Sequence, residues 1–327
     1  ILYREYQIFD TKEKAIKNMK KNVDYLWNYM TSITKSNNYD YYQCLSCIFG
    51  GFFGDATGGY CEFMEANKSN VNYLFRGNPQ FGDSPGQVTD DSEMAMSLAY
   101  AIMDNPHMKR LNPVYLFYYF GAWYYSGPND IGSATRVALQ HFKFHDYDET
   151  MDPEKNIYFK SSIENTKSEN AESLANGFLM RISPFVVWMY IRNKEQIVDA
   201  FDRKLCDEAE RKKKLLFIYK LVKEEAQNNS DITHPNVQTV SATGIFCVMA
   251  FGAIHGLRST EIIEDLKLLL SNSCFINEKE EKELKKIIYE EFNQYEKMNK
   301  DRLDPFNYFK EGEKNVFDKM GYDAHAF

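Results

Sequence analysis

Apolar positions along this chain recur at helical and not at strand spacing. In residues 91–103, Met94, Leu98, Ala101 and Ile102 fall at i, i+4, i+7 and i+8, the pattern of a packed amphipathic helix. The same periodicity predicts helices over 113–125, 132–144, 171–191, 204–228, 240–255 and 259–270. Residues 12–30 read as a charged amphipathic helix, and 40–65 are apolar and rich in glycine. Residues 277–301 alternate charges around Ile287, Ile288, Tyr289 and Phe292, which predicts an exposed helix with a thin apolar stripe. Residues 146–170 are polar and irregular and read as a loop or insertion. The expected fold class is all-α, with an N-terminal helical extension over 1–39 and one helical domain over 40–327.

Composition narrows the function classes. A hydrophobic fraction of 44% with 15% aromatics is ample for a buried core. No stretch approaches the roughly 18 apolar residues of a membrane span. The longest candidate, 245–254, reads as a buried helix. The opening residues do not read as a signal peptide. The formal charge of -8 gives no basic footprint for duplex nucleic acid. A local metal or donor set can still favour an anionic small ligand. Of the six cysteines, only Cys44 and Cys47 form a C-x-x-C pair. Buried thiols in a reducing, cytoplasmic compartment are the better reading of them than a zinc or redox pair.

Candidate chemistry collects at helix starts. GGFFGDATGGYCE, residues 50–62, carries Gly50, Gly51, Gly54, Gly58 and Gly59. Each interior helix glycine costs about 1 kcal/mol against alanine, so close packing or backbone approach to a ligand is expected to compensate. Asp55 and Glu62 are seven apart and are expected on one helical face, Asp55 reading equally well as a cap or buried acceptor. In GDSPGQVTDDSEMAMSLA, residues 82–99, Asp90 followed by Glu93 has the spacing of a capping box. Thr89, Asp90 and Asp91 together also form a corner of hard oxygens suited to Mg²⁺, Mn²⁺ or Ca²⁺. Asp130 precedes another helix with Ser133 and Thr135 just inside, Asn176-Gly177 interrupts an apolar run, and His234-Pro235 leads into the apolar helix near 240.

The order and spacing of these segments resemble the ADP-ribosylglycohydrolase family over roughly residues 44–256. The series runs G-D-A-x-G-x-x-x-E, G-Q-x-T-D-D-S-E-M-A, D-I-G-x-x-T-R-x-A-L, N-G-x-L-M-R-I-x-P and T-H-P. The resemblance implies an all-α, orthogonal-type bundle with a two-metal Mg²⁺ or Mn²⁺ centre, acting on the bond between ADP-ribose and an acceptor. It assigns Thr89, Asp90 and Asp91 to the metal. Glu62 and Asp130 become the acid–base candidates, and Ser133 stands beside the scissile ribose. Asn176, Gly177, Met180 and His234, with Asp55, border the ADP-ribose groove.

Two departures accompany the resemblance. The family's C-terminal G-G-D-T-D-T, which completes its metal shell, does not occur in this chain. Residues 320–327, MGYDAHAF, look like the segment that precedes it. The resemblance therefore implies either a chain that continues past Phe327 or a protein with weak cation binding. Ser92 also stands where threonine is common. Two alternatives stay open: a catalytically inactive relative, and an Asp-rich diphosphate-binding transferase. The transferase reading wants a second Asp-rich or N-x-x-x-S-x-x-x-E helix, which the chain lacks.

Overall fold

The computed structural model describes residues 39–63, 78, 81–105, 110–142, 150–204, 206–271 and 286. The helices expected over 12–30 and 277–301, the N-terminal extension and the terminal MGYDAHAF segment lie outside these residues. Among the described residues there are ten α-helices and no strand, an all-α fold. In chain order they are α1 (Tyr39–Gly58), α2 (Asp90–Met103), α3 (Pro113–Tyr125), α4 (Ser133–Leu139), α5 (Ile157–Asn170), α6 (Ser183–Arg192), α7 (Lys194–Phe201), α8 (Glu208–Ser230), α9 (Val237–Ile254) and α10 (Ser259–Leu270). Two compact units divide between Ser46 and Cys47. Of the first, the described part is the opening turns of α1; everything below concerns the second.

Helix α9 is the core. It packs on α6, α8 and α10, and its buried positions run round most of its surface. With 18 residues at a mean hydropathy of 1.7, it is long and apolar enough to cross a membrane, which the shorter apolar run expected from sequence was not. Two thirds of it is buried inside the protein, however, as befits a core helix. Helix α8 presents Leu215, Ile218, Tyr219, Val222 and Ala226 as its buried stripe. The Tyr219 ring fits because residue 244 is glycine: a Cβ there would stand 2.6 Å from the ring. Helix α2 packs its Met94, Leu98 and Ala101 face against α3 and α6.

Two sequence expectations fail for identifiable reasons. The segment read as a loop contains α5, capped by Asn156, whose side chain accepts from the Phe159 N–H at 2.9 Å. Its buried stripe is Phe159, Ser162, Thr166 and Asn170. Three of these four are polar, so hydrophobic periodicity could not reveal it. The Asn170 amide donates to the carbonyls of Ala134 (2.8 Å) and Thr233 (2.9 Å), tying α4 to the turn before α9. The helix expected over 171–191 starts only at Ser183, with Pro184 in its first turn, where its missing N–H costs nothing. The preceding residues fold into successive turns closed by Leu179 N–H on the Asn176 carbonyl and Ile182 N–H on that of Leu179. Helix α4 is also shorter than expected, and α7 was not anticipated.

Candidate active site

The site is built where α1 ends and α2 begins. Helix α1 stops at Gly58 and a short 3-10 turn, Gly59–Cys61, carries the chain to Glu62. Asp55 and Glu62 therefore do not share a helical face as their spacing suggested. Asp55 lies in the last turn of α1 and takes hydrogen bonds from four donors at the start of α2. These are the Thr89 N–H (3.0 and 3.1 Å to its two oxygens), the Thr89 hydroxyl (2.7 Å), the Ser92 N–H (3.1 Å) and the Ser92 hydroxyl (2.5 Å). The N-terminus of α2 is thus capped by a carboxylate from another helix, which satisfies its free N–H groups and complements its dipole. The capping box expected from Asp90 and Glu93 does not form: Thr89 is the N-cap, without a side-chain cap bond of its own. Glu93 instead accepts from the Trp123 indole N–H at 2.8 Å.

With α2 pinned in this way, Asp90 meets Glu62 and Asp130, each offering a carboxylate oxygen within 4.8 Å of the others. The three line a cleft of about 20 Å³ with Phe81, Asp83, Gln87, Asn129 and Glu93, room for one water-sized occupant. No Lys or Arg is among these lining residues. Burial first, and then the neighbouring carboxylates, push Glu62 and Asp90 up to about 7. Burial and Asp55 push Asp91 up to about 6. The Glu62 Oε2 atom is buried without a hydrogen-bond partner. A group of crowded acids with an orphaned oxygen fits a hard divalent cation, which would relieve both the repulsion and the lost hydration. Phe63, which follows Glu62, has φ 60°, a left-handed conformation uncommon outside glycine, and its ring packs edge-on against Phe81 at 5.6 Å.

These raised values fix the sign of a pH dependence. The carboxylates must lose protons to ligate a cation, so affinity for Mn²⁺ is expected to rise with pH through about 6 to 7 and then level off. Calorimetric titrations at pH 5.5, 6.5 and 8 check this, and affinity that is flat or falls with pH contradicts it.

The other residues singled out in the sequence are distributed as follows. Thr89 and Asp91 flank Asp90; the Thr89 hydroxyl is bonded to Asp55 and lies 3.3 Å from Asp91 Oδ2. Ser133 is exposed at the first position of α4, three residues beyond Asp130. Asn176, Gly177 and Met180 are half-buried in the turns before α6. His234 is buried, and its ring edge stands 3.1 Å from where a Cβ on Gly177 would project. None of Ser133, Asn176, Gly177, Met180 or His234 lines the acidic cleft. A separate groove of about 1050 Å³ between Arg110, Met151, Phe159 and Asp231 carries none of the clustered acids.

A family model described as ADP-ribosylglycohydrolase matches residues 39–326. The chain belongs to the ADP-ribosylglycohydrolase family. It is 26% identical over 241 residues to a putative ADP-ribosyl glycohydrolase of Acanthamoeba polyphaga mimivirus, across 71% of this chain and 62% of that protein. It is 34% identical over 105 residues to an ADP-ribosylarginine hydrolase of Serratia proteamaculans, across 30% of this chain and 28% of that one. The chain thus spans less than two thirds of the length of either relative.

In this family member, four polar residues of the cleft, Asp83, Gln87, Glu93 and Asn129, were not among the site residues expected from the sequence. Asp83 accepts from Gln87 and Asn129, both at 2.9 Å, bracing the loop before α2 against the loop carrying Asp130. Glu93, oriented by Trp123, forms another wall. The side-chain amide of Asn78 donates to the Gly59 carbonyl at 2.8 Å, holding the 3-10 turn that delivers Glu62. Gln87 and Glu93 lie inside the motif that named Asp90, but only their neighbours in space distinguish them from ordinary loop and helix residues.

Proposed function

We propose that this protein is a divalent-cation-dependent hydrolase that releases ADP-ribose from an acceptor, with Mg²⁺ or Mn²⁺ as its ion. The observation that carries the reading is the convergence of Glu62, Asp90 and Asp130 around the orphaned Glu62 oxygen. Asp90 would hold the ion, with Thr89 and Asp91 completing that side of the shell. When bound, such an ion orients ribose hydroxyls and lowers the pKa of a coordinated water. Cleavage at an anomeric carbon passes through an oxocarbenium-like state and needs a proton donor for the leaving group and a base for the incoming water. Glu62 and Asp130, beside Asp90, would take these roles. Asp55 keeps the ligating residues in register by fixing the first turn of α2.

ADP-ribosylarginine is the first acceptor linkage to test, because a relative is named for that activity. Incubation with an arginine-ADP-ribosylated protein is expected to release ADP-ribose with Mg²⁺ or Mn²⁺ and to stop on chelation. No release from arginine, serine, ester or base linkages with the ion supplied would assign the protein to the inactive members of the family.

A further inference from the structure

Arg181, in the turn before α6, is fully withdrawn from solvent, and no carboxylate among the described residues lies in ion-pairing range. Its guanidinium stacks 4.2 Å over the Phe120 ring. Nη2 donates to the Asn229 carbonyl at 3.4 Å and to the Thr233 hydroxyl at 2.7 Å. Burial without a counter-charge pushes its pKa down to about 9, so it still carries its charge at neutral pH.

A guanidinium can only donate, so the Thr233 oxygen accepts and its own hydrogen remains to be placed. Thr233 is itself fully buried, and its other polar neighbour is His234 Nδ1, 2.8 Å away. A proton on Nδ1 would point at that oxygen and leave the Thr233 hydrogen without an acceptor. With Nδ1 accepting, Arg181 Nη2, Thr233 Oγ1 and His234 Nδ1 are all matched. We infer that Arg181 and Thr233 are positioning residues that hold His234 as the neutral tautomer protonated at Nε2, a fixed hydrogen-bond donor beside Gly177.

The surroundings of the ring agree. Nε2 and Cε1 face the bare side of Gly177, where a Cβ would stand 3.1 Å from each and 3.3 Å from the Thr135 hydroxyl. Phe178 packs on the ring at 5.9 Å, and Arg181 is the charged group beside it. Burial, and then Arg181, push the His234 pKa down to about 3. His234 is thereby held neutral, with its Nε2–H facing Gly177 and the space beside the 176–180 turns. The part of this inference that concerns ligand binding rests on the ADP-ribose reading above; the tautomer does not.

The test is a long-range ¹H–¹⁵N correlation spectrum of the histidine-labelled full chain, with the His234 signals assigned by their loss in His234→Gln. The expected pattern is the Nε2–H tautomer, unchanged from pH 8 to 5.5. An Nδ1–H pattern, or protonation of the ring within that range, overturns the inference. Thr233→Val should shift the ring toward Nδ1–H and weaken free ADP-ribose binding roughly fivefold, the scale of one neutral hydrogen bond. Thr233→Ser should keep both properties, and an unchanged tautomer in Thr233→Val overturns the positioning role. If the tautomers behave as expected while no form binds ADP-ribose, the positioning role is upheld and the functional reading is what fails.

Discussion

Asp90→Asn is expected to abolish cation binding and to lower ADP-ribose release by ~10²-fold or more, since even residues that merely orient metal ligands are worth 10- to 100-fold. The amide keeps the shape of the side chain and loses the charge that holds a divalent ion. Stability should move the other way. Burial first, and then Asp91, Asp130, Glu62 and Asp55, push the Asp90 pKa up to about 7. A carboxyl group with a raised folded pKa binds its proton more tightly in the fold, so its ionised form destabilises the protein as pH climbs from the unfolded value toward 7. In the presence of chelator, Asp90→Asn should therefore melt above the parent protein at pH 8, and the two should converge near pH 4. Glu62→Gln should lower kcat by about 10²–10⁴-fold, the usual worth of general acid–base help, with a smaller effect on ADP-ribose affinity. Scanning calorimetry with chelator, manganese titration and an ADP-ribose release assay read these effects separately. An Asp90→Asn protein that keeps tight manganese binding would refute the assignment of Asp90.

Asp265→Asn is expected to destabilise the fold by about 3 kcal/mol, the lower end of the range for breaking a buried ion pair. Asp265 on α10 is 1% exposed and lies 3.0 Å from Arg203, after α7, and 3.0 Å from Arg211 on α8. Arg203 also donates to the Glu261 carbonyl at 2.7 Å and to Glu264 at 2.9 Å, so one arginine clasps two turns of α10. Burial pushes the Asp265 pKa up against the pull of both guanidiniums, so the network is costly to desolvate and depends on its partners. Both arginines are partly solvated, which places the loss at the lower end of the range. Urea denaturation checks the value. A cycle adding Arg211→Met should show the two changes to be non-additive, because the second removes a cation that the first left uncompensated. A loss below about 0.5 kcal/mol would mean that solvent replaces the carboxylate, as at ordinary surface pairs.

The sequence by itself determined the fold class and most helix positions, and it marked the segments whose carboxylates the structure gathers. Helical periodicity is a local property, and α2, α3, α8, α9 and α10 bury apolar stripes that it records directly. Helix α5 escaped because three of its four buried positions are polar, Thr166 and Asn170 among them held by hydrogen bonds to the Ile232 and Thr233 carbonyls more than 60 residues away. Asp55, Glu62, Asp90 and Asp130 were visible as acids at helix boundaries, but their separate duties were not. Asp55 caps α2 across 34 residues of chain, whereas Glu62, Asp90 and Asp130 crowd together. Arg181 stood in the sequence only as the arginine of N-G-x-L-M-R-I-x-P, and the structure buries it against Phe120 and Thr233. Which carboxylate is satisfied and which is left wanting a cation depends on donors brought in from other helices. Side-chain chemistry and spacing do not encode those donors; packing decides them.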